Sequence, residues 1–214
     1  MGSGGREDKM EDPKEFDPNK IKIDSKAVSP DYNPGPFYFV EASETGEVRM
    51  PCWSPDPDPL MEIMLELLEA FPEDVGVLIK ARVETSSTQR EEDEWLRFFG
   101  YCNKRAVQNA VARFRKFIQC DSTHQFMVRN TNTGEYVAFD DFGILWIYSE
   151  DPKFKDILQG RGFSEKKGQP LINEGPTWRL TAPDSAGQLR QLVDFLMLHE
   201  AEKSEQPKPS TSIQ

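Results

Sequence analysis

Cysteine and histidine are scarce in this chain, and long apolar runs are missing. The 214 residues hold two His and three Cys, at Cys52, Cys102 and Cys120. So low and odd a cysteine count argues against a disulfide framework and for reduced thiols in a cytoplasmic protein. No apolar run reaches the ~18–20 residues that a bilayer span needs. No basic start followed by an apolar stretch marks a secretory leader. Bases are also short: 26 Lys and Arg face 37 Asp and Glu, for a net charge of −11. That sign opposes general attraction to nucleic acid or to an anionic membrane. Aromatics, by contrast, are plentiful. Fourteen Phe, five Tyr and four Trp supply core-sized side chains that a wholly disordered chain would lack.

The ends read as unstructured. Residues 1–35 are dense in charge, Pro and Gly, and 203–214 form a polar, Pro-containing tail. Neither buries enough apolar surface to offset its ordering entropy. The folded part is expected at 36–202 as a single α+β domain with a mainly antiparallel sheet and packed helices.

Within it, Phe37–Glu41 reads as a strand and Ser43–Gly46 as a turn. Val48, Met50 and Cys52 then alternate with polar neighbours at period two. Asp58 and Pro59 suit the N-cap and first position of a helix over Leu60–Phe71. Val77, Ile79, Ala81 and Val83 mark a further strand. Thr88 and Glu91 are spaced as a capping box, and the short helix they open would carry Trp95, Phe98 and Phe99 on one face before stopping at Gly100. Asn103 caps the next helix, whose Val107, Val111, Phe114 and Ile118 form an apolar stripe.

Strands follow at Gln125–Arg129, Glu135–Phe139 and Ile144–Tyr148. The last, ILWIY, is apolar throughout, which points to burial on both faces and predicts a buried Trp146. Asp151-Pro152 opens a helix, Thr177–Thr181 reads as a strand, and Asp184 caps a final helix. Each half thus reads hairpin, helix, strand, helix, over 37–120 and 124–202. FYFVEASETGEV at 37–48 aligns without gaps on QFMVRNTNTGEY at 125–136. An internal duplication is one reading. Two unrelated hairpins using the same turn chemistry is the other.

Charge is segregated. Residues 41–74 carry ten acids and one base, whereas 97–129 carry seven bases and one acid. Lys104, Arg105, Arg115 and Lys116 lie opposite the apolar stripe of the helix expected over 104–119, on a solvent-facing side. Three roles are open to them: balancing the Glu62/Glu66/Glu69 stripe, docking an acidic protein partner, or contacting nucleic acid. The last is disfavoured by the global charge and by the lack of nucleic-acid-binding signatures.

Catalytic motifs do not survive inspection. Cys120-x3-His124 offers two metal ligands where zinc needs three or four. Cys102 lies 18 residues from Cys120, about 27 Å along a helix at ~1.5 Å per residue, too far to join them. Nothing local activates a cysteine as nucleophile. Asp141-Phe142-Gly143 spells the kinase metal-binding triplet but lacks every other kinase element, so it reads as a turn. Asp140 and Asp141, adjacent in sequence, are expected to point apart. Gly160-Arg161-Gly162 lacks the order of a phosphate loop. No catalytic residue, metal or cofactor is assigned.

The reading that fits best is a non-enzymatic, acidic, cytoplasmic protein that binds another protein, of the inhibitor, immunity or adaptor type. The alternatives are an enzyme whose site is assembled from sequence-distant residues, and a nucleic-acid-binding module using the basic helix.

Overall fold

The computed structural model describes residues 35–42, 46–82, 95–167, 181–182 and 184–201. Both expected tails apart from Gly35, the capping box at Thr88–Glu91 and all but the last residue of the strand expected at Thr177–Thr181 lie outside them. The fold is α+β, with five helices on a ten-stranded, mostly antiparallel sheet. The strands are β1 (Phe37–Tyr38), β2 (Glu41–Ala42), β3 (Val48–Trp53), β4 (Asp74–Arg82), β5 (Trp95–Asn103), β6 (His124–Asn130), β7 (Tyr136–Phe139), β8 (Leu145–Tyr148), β9 (Ser164–Glu165) and β10 (His199–Glu200). The helices are α1 (Asp58–Glu69), α2 (Lys104–Arg113), α3 (Arg115–Cys120), α4 (Pro152–Gly160) and α5 (Ser185–Phe195). The sheet runs β10-β5-β4-β6-β7-β8-β3-β1-β9, with β2 also on β3 and a parallel pairing between β1 and β9. No helix among the described residues is long and apolar enough to cross a membrane.

Strand β4 is the axis. It pairs with β5 from Asp74↔Asn103 to Arg82↔Trp95 and, on its other side, with β6 from Val75↔Asn130 to Ala81↔His124. Its alternation sorts the two faces. Val75, Val77 and Ile79 are fully buried, with Phe126 and Val128 of β6, Val137 of β7 and Ile147 of β8 beside them. All five helices contribute to the same core. They supply Leu60, Ile63 and Leu67 from α1, Val107 and Val111 from α2, Ile118 from α3, Phe154 and Leu158 from α4, and Leu192 from α5.

Five local expectations are corrected. Trp95–Asn103 is a strand, not a helix. The i, i+3, i+4 spacing of Trp95, Phe98 and Phe99 satisfies a helical stripe, but these aromatics also favour a pleated surface, and nine paired positions against β4 decide for the sheet. At Gly100 a Cβ would stand 2.9 Å from Leu198 Cδ2, so the approach of the β10 segment explains that glycine better than a helix cap does.

The helix expected over 104–119 divides at Phe114, whose φ of −102° and ψ of 18° leave helical geometry. Asn103 does cap it, accepting from the Arg105 N–H at 3.0 Å, and Asp151 likewise caps α4 through the Lys153 N–H. Helix α1 starts one residue early, with Pro57 at its cap, because the Asp58 carboxylate is drawn to Arg115 instead. Asp184 stands at the cap position of α5 in a left-handed conformation and makes no side-chain cap bond.

The fifth correction concerns β8. It lies inside the sheet, between β7 and β3, but it is buried on one face. Leu145 and Ile147 enter the core, whereas Trp146 and Tyr148 are half-buried on the opposite side.

This two-faced sheet predicts unequal mutational costs. Ile79→Ala should cost about 2–5 kcal/mol through lost transfer energy and a cavity. Tyr101→Ser, at a residue 73% exposed, should cost below about 1 kcal/mol. Urea unfolding of the two variants checks this, and equal costs would contradict the assignment of faces.

Candidate functional site

Residues paired across antiparallel strands share a face, so the register lists the side of the sheet away from the core. One row reads Tyr101, Gly76, Arg129, Tyr136, Tyr148, Arg49 and Glu41. The next reads Phe99, Leu78, Met127, Ala138, Trp146 and Pro51. A third holds Arg97, Lys80 and Gln125, and Arg82 lies opposite Trp95 beyond it. Among the described residues no helix packs on this side. It combines aromatic rings with five cations, in a chain whose overall charge is strongly negative.

A cleft of about 310 Å³ opens at its centre, floored by Leu78, Met127 and Ala138, with Lys80 and Gln125 on one flank and Tyr136, Trp146 and Tyr148 on the other. The aromatic flank is braced from behind. Tyr136 and Tyr148 stack at 3.9 Å between ring centroids. Arg49 lies 5.2 Å over the Trp146 ring and pairs with Glu41 at 2.9 Å. Burial, and then the hydrogen bond with Tyr148, push the Tyr136 hydroxyl well above the ordinary tyrosine range. The Tyr136 phenol therefore stays neutral.

The end wall is the Asp140–Gly143 turn. Gly143 adopts φ 76°, which a side chain would disfavour. Asp140 organises the turn: one carboxylate oxygen accepts from the Phe142 and Ile144 N–H groups at 2.9 Å each, the other from Trp146 Nε1 at 2.7 Å. Asp141 accepts from Gln125 at 2.9 Å and pairs with Arg82 at 2.5 Å. Arg82 in turn lies 4.5 Å over the Trp95 ring. The two carboxylates do turn to different partners, and the fold brings both to the rim of one cleft, which sequence spacing alone did not reveal. Burial pushes Asp140 up to about 6, with the nearby Asp141 charge adding to the rise and the three donors opposing it.

The helix cations divide. Arg115 bridges Asp58 and Glu62 at 3.0 and 2.8 Å. The Lys104 amine reaches the Glu69 and Phe71 carbonyls, at and just past the end of α1, at 3.3 and 3.0 Å. Arg105 and Lys116 are exposed. Arg161, at the end of α4, pairs with Glu66 at 2.6 Å. The acidic stripe of α1 is thus met partly by the neighbouring cations of its own chain.

Cys120 and His124 do not converge on a metal centre; among the described residues no group of three or more His, Cys, Asp or Glu could hold one. His124 is buried, stacked on Phe117 at 4.3 Å and paired with the buried Asp121 at 3.5 Å. Burial alone would raise Asp121, but hydrogen bonds from His124, Thr123 and the Ala182 N–H outweigh it and hold the carboxyl below the usual range. This cluster ties the turn before β6 to the segment before α5, a structural task. Burial raises the Cys52 and Cys102 thiols, which leaves both un-ionised at neutral pH.

Comparison with family models, with curated proteins and with solved structures finds no match.

The raised Asp140 has a consequence for stability. Between the ordinary carboxylate value and about 6, the folded chain keeps a proton that the unfolded chain has released. Stability therefore falls as pH rises through that window, by ~2–3 kcal/mol in all, and the cost disappears below it. Urea midpoints should show wild type gaining more than Asp140→Asn on passing from pH ~7 to ~4.5. Equal changes in the two proteins would contradict the burial of that charge.

Proposed function

We propose that this chain is a non-enzymatic binding protein that engages an acidic protein partner, and that the docking surface is the open side of the sheet around the central cleft. The observation that carries the reading is the unpartnered face itself. Aromatic side chains interleaved with arginine are the composition that interface centres favour, and Lys80 adds a cation that suits an acidic partner. The clearest member is Tyr101, at 73% exposure beside Phe99, whose ring lies 5.2 Å away.

The enzyme alternative is less well supported. The carboxylates at the cleft rim are engaged by their own chain, Asp140 by three donors and Asp141 by Arg82 and Gln125. The basic helix is left with Arg105 and Lys116 unengaged among the described residues, too few for a docking centre, and it packs on the core side of the sheet, away from the open face. A cytoplasmic setting fits three buried cysteines that form no disulfide with one another among the described residues.

Site-specific photo-crosslinking in cells tests the reading. A photoreactive residue in place of Tyr101, on the open face, should capture one acidic protein reproducibly. The same residue in place of the exposed Ala112, on α2, should not. Capture from Ala112 alone would overturn the assignment of the surface.

A further inference from the structure

The cleft contains an imbalance of charge satisfaction. Its acids, Asp140 and Asp141, are engaged by their own chain, whereas its one cation, Lys80, and the Arg97 and Arg129 that flank it on the open face have no carboxylate partner among the described residues. Lys80 and Arg97 stand directly opposite each other on β4 and β5. Arg129 lies further along the same face, opposite Gly76 and Tyr136. Among the described residues none of these three side chains makes an ion pair or hydrogen bond. By contrast, Arg49 and Arg82 on the same face hold Glu41 and Asp141. Like charges directly across a strand pair are destabilising, and the nearby Asp141 carboxylate, already held by Arg82 and Gln125, offsets them only in part. Lys80 is also half-buried in the cleft flank, and burial, then the Arg97 charge, lower its amine from the usual range. A group disfavoured in this way gains most from an incoming anion.

Resting on the docking reading above, we infer that the cleft takes an acidic peptide segment carrying an aromatic side chain, its carboxylates on Lys80 and Arg97 and its ring over the Leu78–Met127 floor against Trp146. The spacing fits. The apolar floor and the cation pair are successive rows of one sheet face, since Leu78 and Lys80 are two residues apart on β4. A carboxylate and a ring from neighbouring residues of one extended segment reach both. Arg129, one row beyond the floor on the other side, offers a second anchor to a segment that continues across the sheet. Nucleic acid shares the aromatic and anionic chemistry, but a chain of net charge −11 repels a polyanion at long range. A short acidic segment, with few charges to repel, is favoured over it.

The test is calorimetric titration of the full chain at low ionic strength, where screening is least. The probes are a short peptide of glutamates around one tyrosine, the same peptide with that tyrosine replaced by alanine, and oligouridylate. The glutamate–tyrosine peptide should bind. Lys80→Gln and Arg97→Gln should each weaken it about tenfold, the loss of one charge-assisted contact. The alanine peptide should bind several-fold more weakly, by roughly the value of one stacked ring. Arg105→Glu with Lys116→Glu should leave affinity unchanged. If Lys80→Gln fails to fold by circular dichroism, Arg97→Gln, at the next strand out, carries the result. Tighter binding of oligouridylate, no binding of the glutamate–tyrosine peptide, or equal loss from the helix reversal would each overturn the inference. Crosslinking from Tyr101 does not depend on this chemistry, so the docking face can stand while the choice of ligand falls.

Discussion

The structure depends on the pairing of β4 with two partners at once. Nine residues, Asp74–Arg82, pair with β5 on one side, and seven of them, Val75–Ala81, also pair with β6 on the other. Because side chains alternate along a strand, this double pairing fixes in register which residues of three strands share a face. Val75, Val77 and Ile79 go to the helices. Leu78, Lys80 and Arg82 go to the open side. A slip of one residue would place Lys80 and Arg82 in the core and expose Val77 and Ile79. Burying either cation unpaired costs several kcal/mol. The same register that builds the core therefore assembles the open face, and the two cannot be altered independently.

Much of this architecture was legible in the residues. The alternation of Val77, Ile79 and Ala81 marked a strand, and the T-G-E turn near Gly134 marked the β6–β7 hairpin. Asp151-Pro152 and Asn103 marked helix starts through chemistry that acts within two or three residues. What failed had longer range. Trp95–Asn103 has aromatics spaced for either a helix or a strand, and the choice was made by β4, which lies in another part of the sequence. Trp146 sits in an apolar run that suggests full burial, yet its face of the sheet is left uncovered by every helix the structure describes. Asp58 lost its cap role to Arg115, a residue 57 positions away.

The site was harder to read for the same reason. Lys80, Arg97 and Arg129 are single charges on separate strands, and no local run of bases marks them. The visible run, Lys104 to Lys116, is partly spent on the acids of α1: Arg115 on Asp58 and Glu62, and Lys104 on the carbonyls at the end of that helix. Part of the match between the acids of 41–74 and the bases of 97–129 is thus internal, made where Arg115 of α3 holds Asp58 and Glu62 of α1. One signal did point to the face: Trp95, Phe99 and Tyr101 alternate with Arg97 at period two, a pattern that reads as a half-covered strand once helix is set aside.

Amine-reactive footprinting of the full chain, with and without the partner purified alongside it, tests the central claim most directly. The open-face account predicts that Lys80 becomes protected on binding while Lys104 and Lys116 react as before. Protection of Lys104 and Lys116 with Lys80 unchanged would contradict it and return the interaction to the helical side of the molecule.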